Sequence, residues 1–248
     1  MRLQELGAEV VIGDLLKLND VRLALSGIRG AYFVYPLSPT LVQATAIFAQ
    51  AAKEAEVEIV ANMSQWNFPP EREEPGNEQA LAFCAGFDWS AVPVAHLRAT
   101  IFSEWLLWVA RSIRQGVMTM PWDANSRWSP VATEDLAQVI VAILENPVTH
   151  SGKTYRLCGP AEHSFAEVAE IASSVLGTQV TYQQTNVDAF AESLGQTGNA
   201  LFKEHCRATA VEAQEGVFAG TNSLVAQISG RPPMTIEEFV ATNRAAFV

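Results

Sequence analysis

Short apolar runs alternate with helical patterns along the first 160 residues, and this alternation limits the fold more than any other feature. The runs are AEVVIGD at 8–14, GAYFVYP at 30–36, EVEIVANMS at 56–64, SAVPVAHLR at 90–98 and GKTYRLCG at 152–159. Each is nearly continuous in its apolar residues, which is typical of strands buried on both faces. The sequence therefore predicts an α/β protein built on a mostly parallel sheet.

The last third of the chain has a different pattern. From about Ser164 onward the spacing is mainly helical. Ser164 with Glu167 and Thr235 with Glu238 have the spacing of capping boxes, and Gly177 closes the first of these helices. We therefore expect one domain over residues 1–160 and a smaller, mainly helical carboxyl-terminal lobe over residues 161–248.

Composition narrows the range of partners. The chain has 248 residues and a net charge of −11, so a nucleic acid or an anionic membrane is not expected as a partner. No apolar stretch is long enough to span a bilayer, and three widely spaced cysteines are typical of a reducing, cytoplasmic location. The histidines and cysteines lack metal-ligand spacing. We expect a small-molecule ligand. The composition leaves open whether the chain forms a homo-oligomer.

Candidate binding residues lie where the predicted strands end, because ligands of parallel sheets bind at the carboxyl ends of strands. They are Gly13, Asp14, Tyr35, Pro36, Met63, Ser64, Gln65, Trp66, His96 and Arg98.

Each candidate also has a purely structural interpretation. Asp14 is either a carboxylate that contacts the ligand or an acid in a turn. Ser64 and its neighbours either line a cleft or cap a turn. His96 is either an acid or base near neutral pH or a hydrogen-bonded packing residue. Arg98 either binds an anion or pairs with an acid, and Tyr35 either lines the cleft or packs in a turn.

The six tryptophans all fall between Trp66 and Trp128. Most of them could line a pocket for a flat substrate. Trp105 and Trp108, however, have the i, i+3 spacing that usually indicates core packing on a helix.

Several blocks resemble the NmrA-like family of atypical short-chain dehydrogenases. They are GAEVVIGDLLKLND, GAYFVYPLSP, VANMSQ, FDWSAVPVAHLRATIFSEW, EDLAQVIVAIL with GKTYRLCGP, and GVFAGTNSLVAQISGRPPMTIEEF. The resemblance implies a Rossmann domain that binds NAD(P), with the carboxyl-terminal lobe closing over a substrate cleft. It implies either hydride transfer from NAD(P)H to a quinone-like molecule or a sensor that binds a ligand without catalysis. Asp14 would then approach the adenine side of the cofactor.

Two elements of related proteins do not occur in the sequence. There is no GxxGxxG or GxGxxG turn and no YxxxK dyad. The resemblance therefore implies a Rossmann domain truncated at its amino-terminal end, with NAD(P) affinity weakened or lost. It also implies that two strands are missing from the sheet between AEVVIGD and GAYFVYP. These two runs would then either pair directly with each other or take a partner chain between them. No catalytic residue is assigned.

Overall fold

A computed structural model describes residues 2–36, 38–64 and 86–248 of the chain. In these ranges the main sheet has four strands: β1 (Gly30–Phe33), β2 (Ile59–Ser64), β3 (Val94–Ala99) and β6 (Lys153–Leu157). They lie in the order β1-β2-β3-β6, and every pair is parallel. The predicted α/β class with a mostly parallel sheet is confirmed.

Helices cover both faces of this sheet. On one face, α2 (Leu18–Leu25) and α3 (Leu41–Glu54) pack on β1 and β2, together with Phe87 from the helical residues 86–90. On the other face lie α6 (Thr133–Glu145) and α11 (Leu224–Ser229). Burial on both sides explains the nearly continuous apolar runs of β2 and β3, whereas Lys153, Thr154 and Arg156 of β6 are exposed.

The remaining elements build a second core. It contains α4 (Trp105–Trp108), α5 (Ala110–Ile113), α8 (Phe165–Leu176), α9 (Val187–Ser193), α10 (Ala200–Gln214), α12 (Ile236–Thr242) and α13 (Arg244–Phe247). Two small sheets join it: β4 (Val117–Met120) pairs with β8 (Thr181–Gln184), and β5 (Arg127–Trp128) with β7 (His163–Ser164). Short helices α1 (Arg2–Glu5) and α7 (Pro147–His150) complete the described elements. The second core draws on residues on both sides of position 160, and the predicted domain boundary there stays a prediction.

Both predicted capping boxes are present. Ser164 Oγ accepts a hydrogen bond from the Glu167 backbone N–H, and the Glu167 carboxylate accepts one from the Ser164 N–H at 2.7 Å. Thr235 and Glu238 make the same reciprocal pair. Gly177 ends α8 with φ of 72°, a left-handed conformation that glycine adopts without strain. These helix ends could be predicted because the interactions that fix them are local.

The strand predicted over residues 8–14 is wrong. These residues have no regular secondary structure, and Val10, Val11 and Ile12 are exposed. A strand is stable only when a neighbour satisfies its backbone groups, and within the described residues none pairs with this segment. Direct pairing between residues 8–14 and β1, one of the arrangements expected from the sequence, does not occur.

The carboxyl-terminal tail is held to the main body by a hydrogen bond to the first turn of α6. The Met234 backbone N–H donates to Asp135 Oδ2 at 2.9 Å. Burial raises the pKa of Asp135, and the Met234 hydrogen bond opposes that rise. In the described part of the chain, no helix has both the length and the apolar character that a membrane span requires.

Candidate functional site at the carboxyl edge of the sheet

The parallel strands bring several predicted residues to one edge of the sheet. Met63 and Ser64 end β2, and Ser64 is the register partner of Arg98 near the end of β3. Tyr35 and Pro36 follow β1 at the same edge. Because the carboxyl ends of parallel strands meet at one edge, the fold places these five residues around a common region.

The side chains at this edge are partly fixed by their neighbours. Ser64 is buried, and its hydroxyl donates to the Leu97 carbonyl at 3.3 Å. Tyr35 stacks near Phe33, with ring centroids 6.4 Å apart, and its hydroxyl lies 3.1 Å from Thr40 Oγ1. Met63 packs against the core on the α6 side. Ordered side chains suit a binding edge because little conformational freedom remains to be lost on binding.

Two arginines add positive charge to the same edge. Arg98 on β3 is the register partner of Arg156 on β6, so both guanidinium groups extend from the same face of neighbouring strands. Guanidinium groups in such a position suit the planar oxygens of a carboxylate or phosphate.

Thr100 is a candidate that the sequence reasoning missed. It follows the last residue of β3, and its backbone N–H donates to the Leu157 carbonyl at 3.0 Å. Its side chain is 5% exposed, and within the described residues Oγ1 has no hydrogen-bond partner. A buried hydroxyl without a partner costs free energy, which makes Thr100 a candidate for contact with a ligand group. The sequence does show a polar residue directly after β3. It was missed because the predicted strand ended at Arg98, two residues before Thr100.

His96 lies deeper than the edge and takes part in a chain of three polar side chains. Asn62 and His96 are register partners on β2 and β3, and Asn62 Nδ2 donates to His96 Nδ1 at 3.0 Å. His96 Nε2 donates in turn to Asp88 Oδ1 at 3.1 Å. This pattern requires the neutral tautomer with its proton on Nε2. The alternation of β3 places His96 and Arg98 on one face, as predicted.

The surroundings of His96 support the packing interpretation. Its side chain is 5% exposed, and its ring lies 6.5 Å from that of Phe87 in an edge-on arrangement. Both ring nitrogens already have protein partners. The structure therefore gives His96 the role of a hydrogen-bonded core residue beneath the edge, and contact with a substrate stays a prediction.

We expect His96 to make the fold less stable in mild acid. Burial lowers the pKa of His96 below its usual 6.5, the Asp88 hydrogen bond and charge oppose this, and the Arg98 charge adds to the lowering. As pH falls through 6.5, the unfolded chain binds a proton that the native state does not bind. The free energy of unfolding then decreases, by up to about 1.4 kcal/mol per pH unit for one group.

Urea unfolding at pH 7, 6 and 5 measures this effect. The His96→Gln variant keeps an amide that can bond to Asn62 or Asp88 but cannot titrate, so its stability should fall less steeply over this range. Burial also lowers the pKa of His205 and His150, so part of the slope should remain in the variant. Equal slopes for the two proteins would contradict the assignment to His96.

Gly13 and Asp14 lie in the turn that leads into α2. Asp14 Oδ1 accepts from the Leu16 N–H at 2.9 Å, and the Asp14 N–H donates to Asp20 Oδ2 at 3.0 Å. These contacts match the turn-acid interpretation. A cofactor contact for Gly13 or Asp14 stays a prediction, and Gln65 and Trp66 lie outside the described residues.

The described tryptophans divide into core and surface residues. Trp122 and Trp128 are 1% and 3% exposed in the second core, so they are not lining residues of an open pocket. Trp105 is half-buried on α4, whereas Trp108 and Trp89 are 50% and 82% exposed. The expectation of a tryptophan-lined pocket is therefore wrong for Trp122 and Trp128.

Comparison with known proteins places this geometry in context. No model of a known protein family matches the chain. An NAD(P)H azoreductase from Xenophilus azovorans is 28% identical over 97% of this chain and 84% of its own length. The NADPH-dependent quinone oxidoreductase QOR2 of Escherichia coli, solved with NADPH, has a TM-score of 0.83 at 20% identity, covering 98% of this chain and 86% of that chain. NmrA, a negative transcriptional regulator, has a TM-score of 0.66 at 17% identity, covering 92% of this chain and 78% of that chain. The chain has the NmrA-like fold.

The NmrA-like fold confirms the resemblance seen in the sequence. The four-stranded parallel sheet with helices on both faces is the described part of its Rossmann domain.

Proposed function

We propose that this chain is an NAD(P)H-dependent reductase that passes a hydride to a small planar acceptor of the quinone type. The observation that carries the proposal is the similarity to the NAD(P)H azoreductase over 97% of the chain. The match to the NADPH-dependent quinone oxidoreductase supports the same class. The chemistry of the carboxyl edge supports it independently, because that edge combines buried hydroxyls with positive charge.

The residues at the edge offer some of the hydrogen-bonding groups and charges that NAD(P)H binding needs. NAD(P)H, when bound, supplies the hydride. Ser64 donates to Leu97 and keeps an oxygen lone pair that can accept a hydrogen bond. We infer that Thr100 Oγ1, which is buried and has no partner among the described residues, donates or accepts a further hydrogen bond when the ligand binds. Arg98 and Arg156 place positive charge beside them, which suits phosphate oxygens. These side chains would bind and orient the two reactants, which is the protein's main task in hydride transfer.

The same proposal includes a weakened affinity for the cofactor. The 248 residues contain no glycine-rich turn, in which backbone N–H groups approach a pyrophosphate. Loss of two charge-assisted hydrogen bonds at about 1.5 kcal/mol each corresponds to ~100-fold in Kd. A cytoplasmic location and a homo-oligomer also stay predictions.

Titration of the purified chain with NADPH and NADH tests the proposal. Energy transfer from tryptophan to the nicotinamide reports binding, and oxidation of the cofactor in the presence of menadione reports turnover. Saturable binding, even at high micromolar Kd, together with menadione-dependent oxidation would support a reductase. Binding without oxidation would favour the sensor, and no binding up to millimolar cofactor would refute the proposal for this chain.

Thr100→Val gives a sharper test, because it should change stability and binding in opposite directions. The substitution replaces a buried hydroxyl, for which the described residues offer no partner, with a methyl group of similar size. We expect the free energy of unfolding without ligand to rise by about 1 kcal/mol and cofactor binding to weaken by about tenfold.

The matched control is Thr178→Val, which makes the same chemical change at an exposed position in the second lobe. It should leave both quantities unchanged within error. Thermal unfolding and the NADPH titration measure the two effects on all three proteins. A Thr100→Val variant that loses stability and keeps full affinity would show that the hydroxyl serves the fold and does not bind ligand.

A further inference from the structure

The second core contains a continuous column of aromatic rings that ends at the surface. In order along the column its members are Tyr182, Phe165, Trp122, Trp105 and Trp108, of which Trp122 is the most buried. Successive centroids are 5.5 Å, 5.5 Å, 4.7 Å and 5.0 Å apart. Three of the four contacts are stacked, with interplanar angles of 20° or less, and the Trp122–Trp105 contact is tilted at 46°. The column ends at Trp108, which is half-exposed.

The inner rings hold the outer ones in place. Trp122 is fully buried and its indole N–H donates to Thr209 Oγ1 at 3.1 Å. Tyr182 donates its hydroxyl to the carbonyls of Met120 and Trp122. Trp105 then stacks over Trp108 at 20°, so one face of the Trp108 indole is covered. Because that face is held by a fixed neighbour, the exposed part of the indole is presented in a defined orientation.

The outer end of the column lies close to the carboxyl edge of the sheet. Trp105 follows the last residue of β3 by six positions, and its N–H donates to the Phe102 carbonyl at 3.1 Å. Ser103 donates to the Val131 carbonyl at 3.0 Å, and the carboxylate of Glu104 accepts from the Thr133 N–H at the start of α6. The Trp105–Trp108 pair therefore stands where the edge of the main sheet meets the second core.

We propose that Trp108, held by Trp105, is the ring on which the flat acceptor stacks, so that this pair sets a preference for flat, fused-ring substrates. The assignment rests on the proposed function for the identity of the acceptor. A planar molecule laid on the exposed face of Trp108 would extend the column by one ring. Stacking depends on the π-face alone, so the site would select ring size and flatness more than particular substituents.

Equilibrium dialysis of the full chain with menadione, without cofactor, tests this assignment. We expect the Trp108→Ala variant to bind menadione about tenfold more weakly than the wild type. Trp108→Phe keeps an aromatic face and should stay within about threefold of the wild type. Trp89→Ala is the matched control, since Trp89 is 82% exposed and lies outside the column.

The assay separates this assignment from the proposed function. Failure to bind or oxidise NADPH would refute the reductase, whereas dialysis reports acceptor binding directly. With NADPH present, Trp108→Ala should raise KM for menadione and leave kcat nearly unchanged. Equal menadione affinity in the Trp108→Ala and Trp89→Ala variants, or no saturable binding to the wild type, would overturn the assignment. Circular dichroism and thermal unfolding check that each variant is folded.

Discussion

Replacing Gly159 with alanine is expected to cost about 3 kcal/mol or more of the free energy of unfolding, a large share of the stability of a typical domain. Gly159 lies just after β6, and its N–H donates to the Ser129 carbonyl at 3.0 Å. A Cβ atom built there would lie 1.7 Å from the Pro130 carbonyl oxygen and 2.8 Å from its carbon. Both contacts are with backbone, so a change of rotamer cannot relieve the clash.

The position of this contact makes the expected effect large. The segment around Pro130 leads from β5 into α6, while Gly159 leads from β6 into β7, so the clash would push apart two segments that each contribute residues to both cores. For a chain of this length, a loss of about 3 kcal/mol lowers Tm by roughly 6 to 12 °C.

Gly198→Ala is the matched control for Gly159→Ala. A Cβ at Gly198 would meet no atom within 4 Å, and the backbone there is not in the left-handed region. Alanine at that position should leave stability unchanged or raise it slightly, because it restricts the unfolded chain. Urea unfolding of the two variants measures the difference in stability. Similar midpoints would mean that the close approach at Gly159 does not exist in solution.

Local chemistry explains which parts of the fold could be predicted. The capping boxes at Ser164 and Thr235 involve residues three positions apart, so the pattern contains both partners. β2 and β3 could be predicted because they are buried on both faces, whereas β1 and β6 include exposed residues such as Tyr32 and Arg156. Asn19 is of a residue type that often caps helices, yet it does not cap α2: the helix begins at Leu18, and the Asn19 side chain accepts from Arg22 within it. A single capping residue without a reciprocal partner is a weaker signal than a box.

Properties that depend on neighbouring strands could not be predicted. The run at Val10–Ile12 has the composition of a strand, yet strand formation requires a partner that composition does not reveal. The Asn62–His96 contact depends on the register between β2 and β3, which is set by tertiary packing. Alternation correctly placed His96 and Arg98 on one face, but it could not show that His96 lies beneath the edge while Thr100 lies at it.

The tryptophans show the same limit most clearly. Composition identified a cluster of large aromatic side chains but could not separate those that fill a core from those that present a surface. Trp122 and Trp128 fill the core, whereas Trp108 is half-exposed at the end of the column. The difference arises from how α4, β4 and α8 pack together, and residue spacing along the chain does not contain that information.

Trp122→Ala should be among the most destabilising substitutions in the second core, at about 3–5 kcal/mol. The Trp122 ring contacts those of Trp105, Trp128, Phe165 and Phe190. Truncation would leave a cavity among these rings and would also leave Thr209 Oγ1 without its indole donor. Trp122→Phe keeps most of the ring volume and should cost less, with about 1 kcal/mol of its effect due to the lost hydrogen bond.

Urea unfolding of Trp122→Ala, Trp122→Phe and the exposed-site control Trp89→Ala measures the three costs, and near-ultraviolet circular dichroism reports the order of the remaining rings. A Trp122→Ala variant as stable as Trp89→Ala would mean that Trp122 lines an open cleft after all. If the core role holds, the Trp122→Ala variant should also bind menadione more weakly although Trp122 cannot touch it, because Trp105 would lose the neighbour that orients it under Trp108. Stability and acceptor binding would then depend on the same column of rings, which is why a substitution deep in the second core is expected to affect the carboxyl edge.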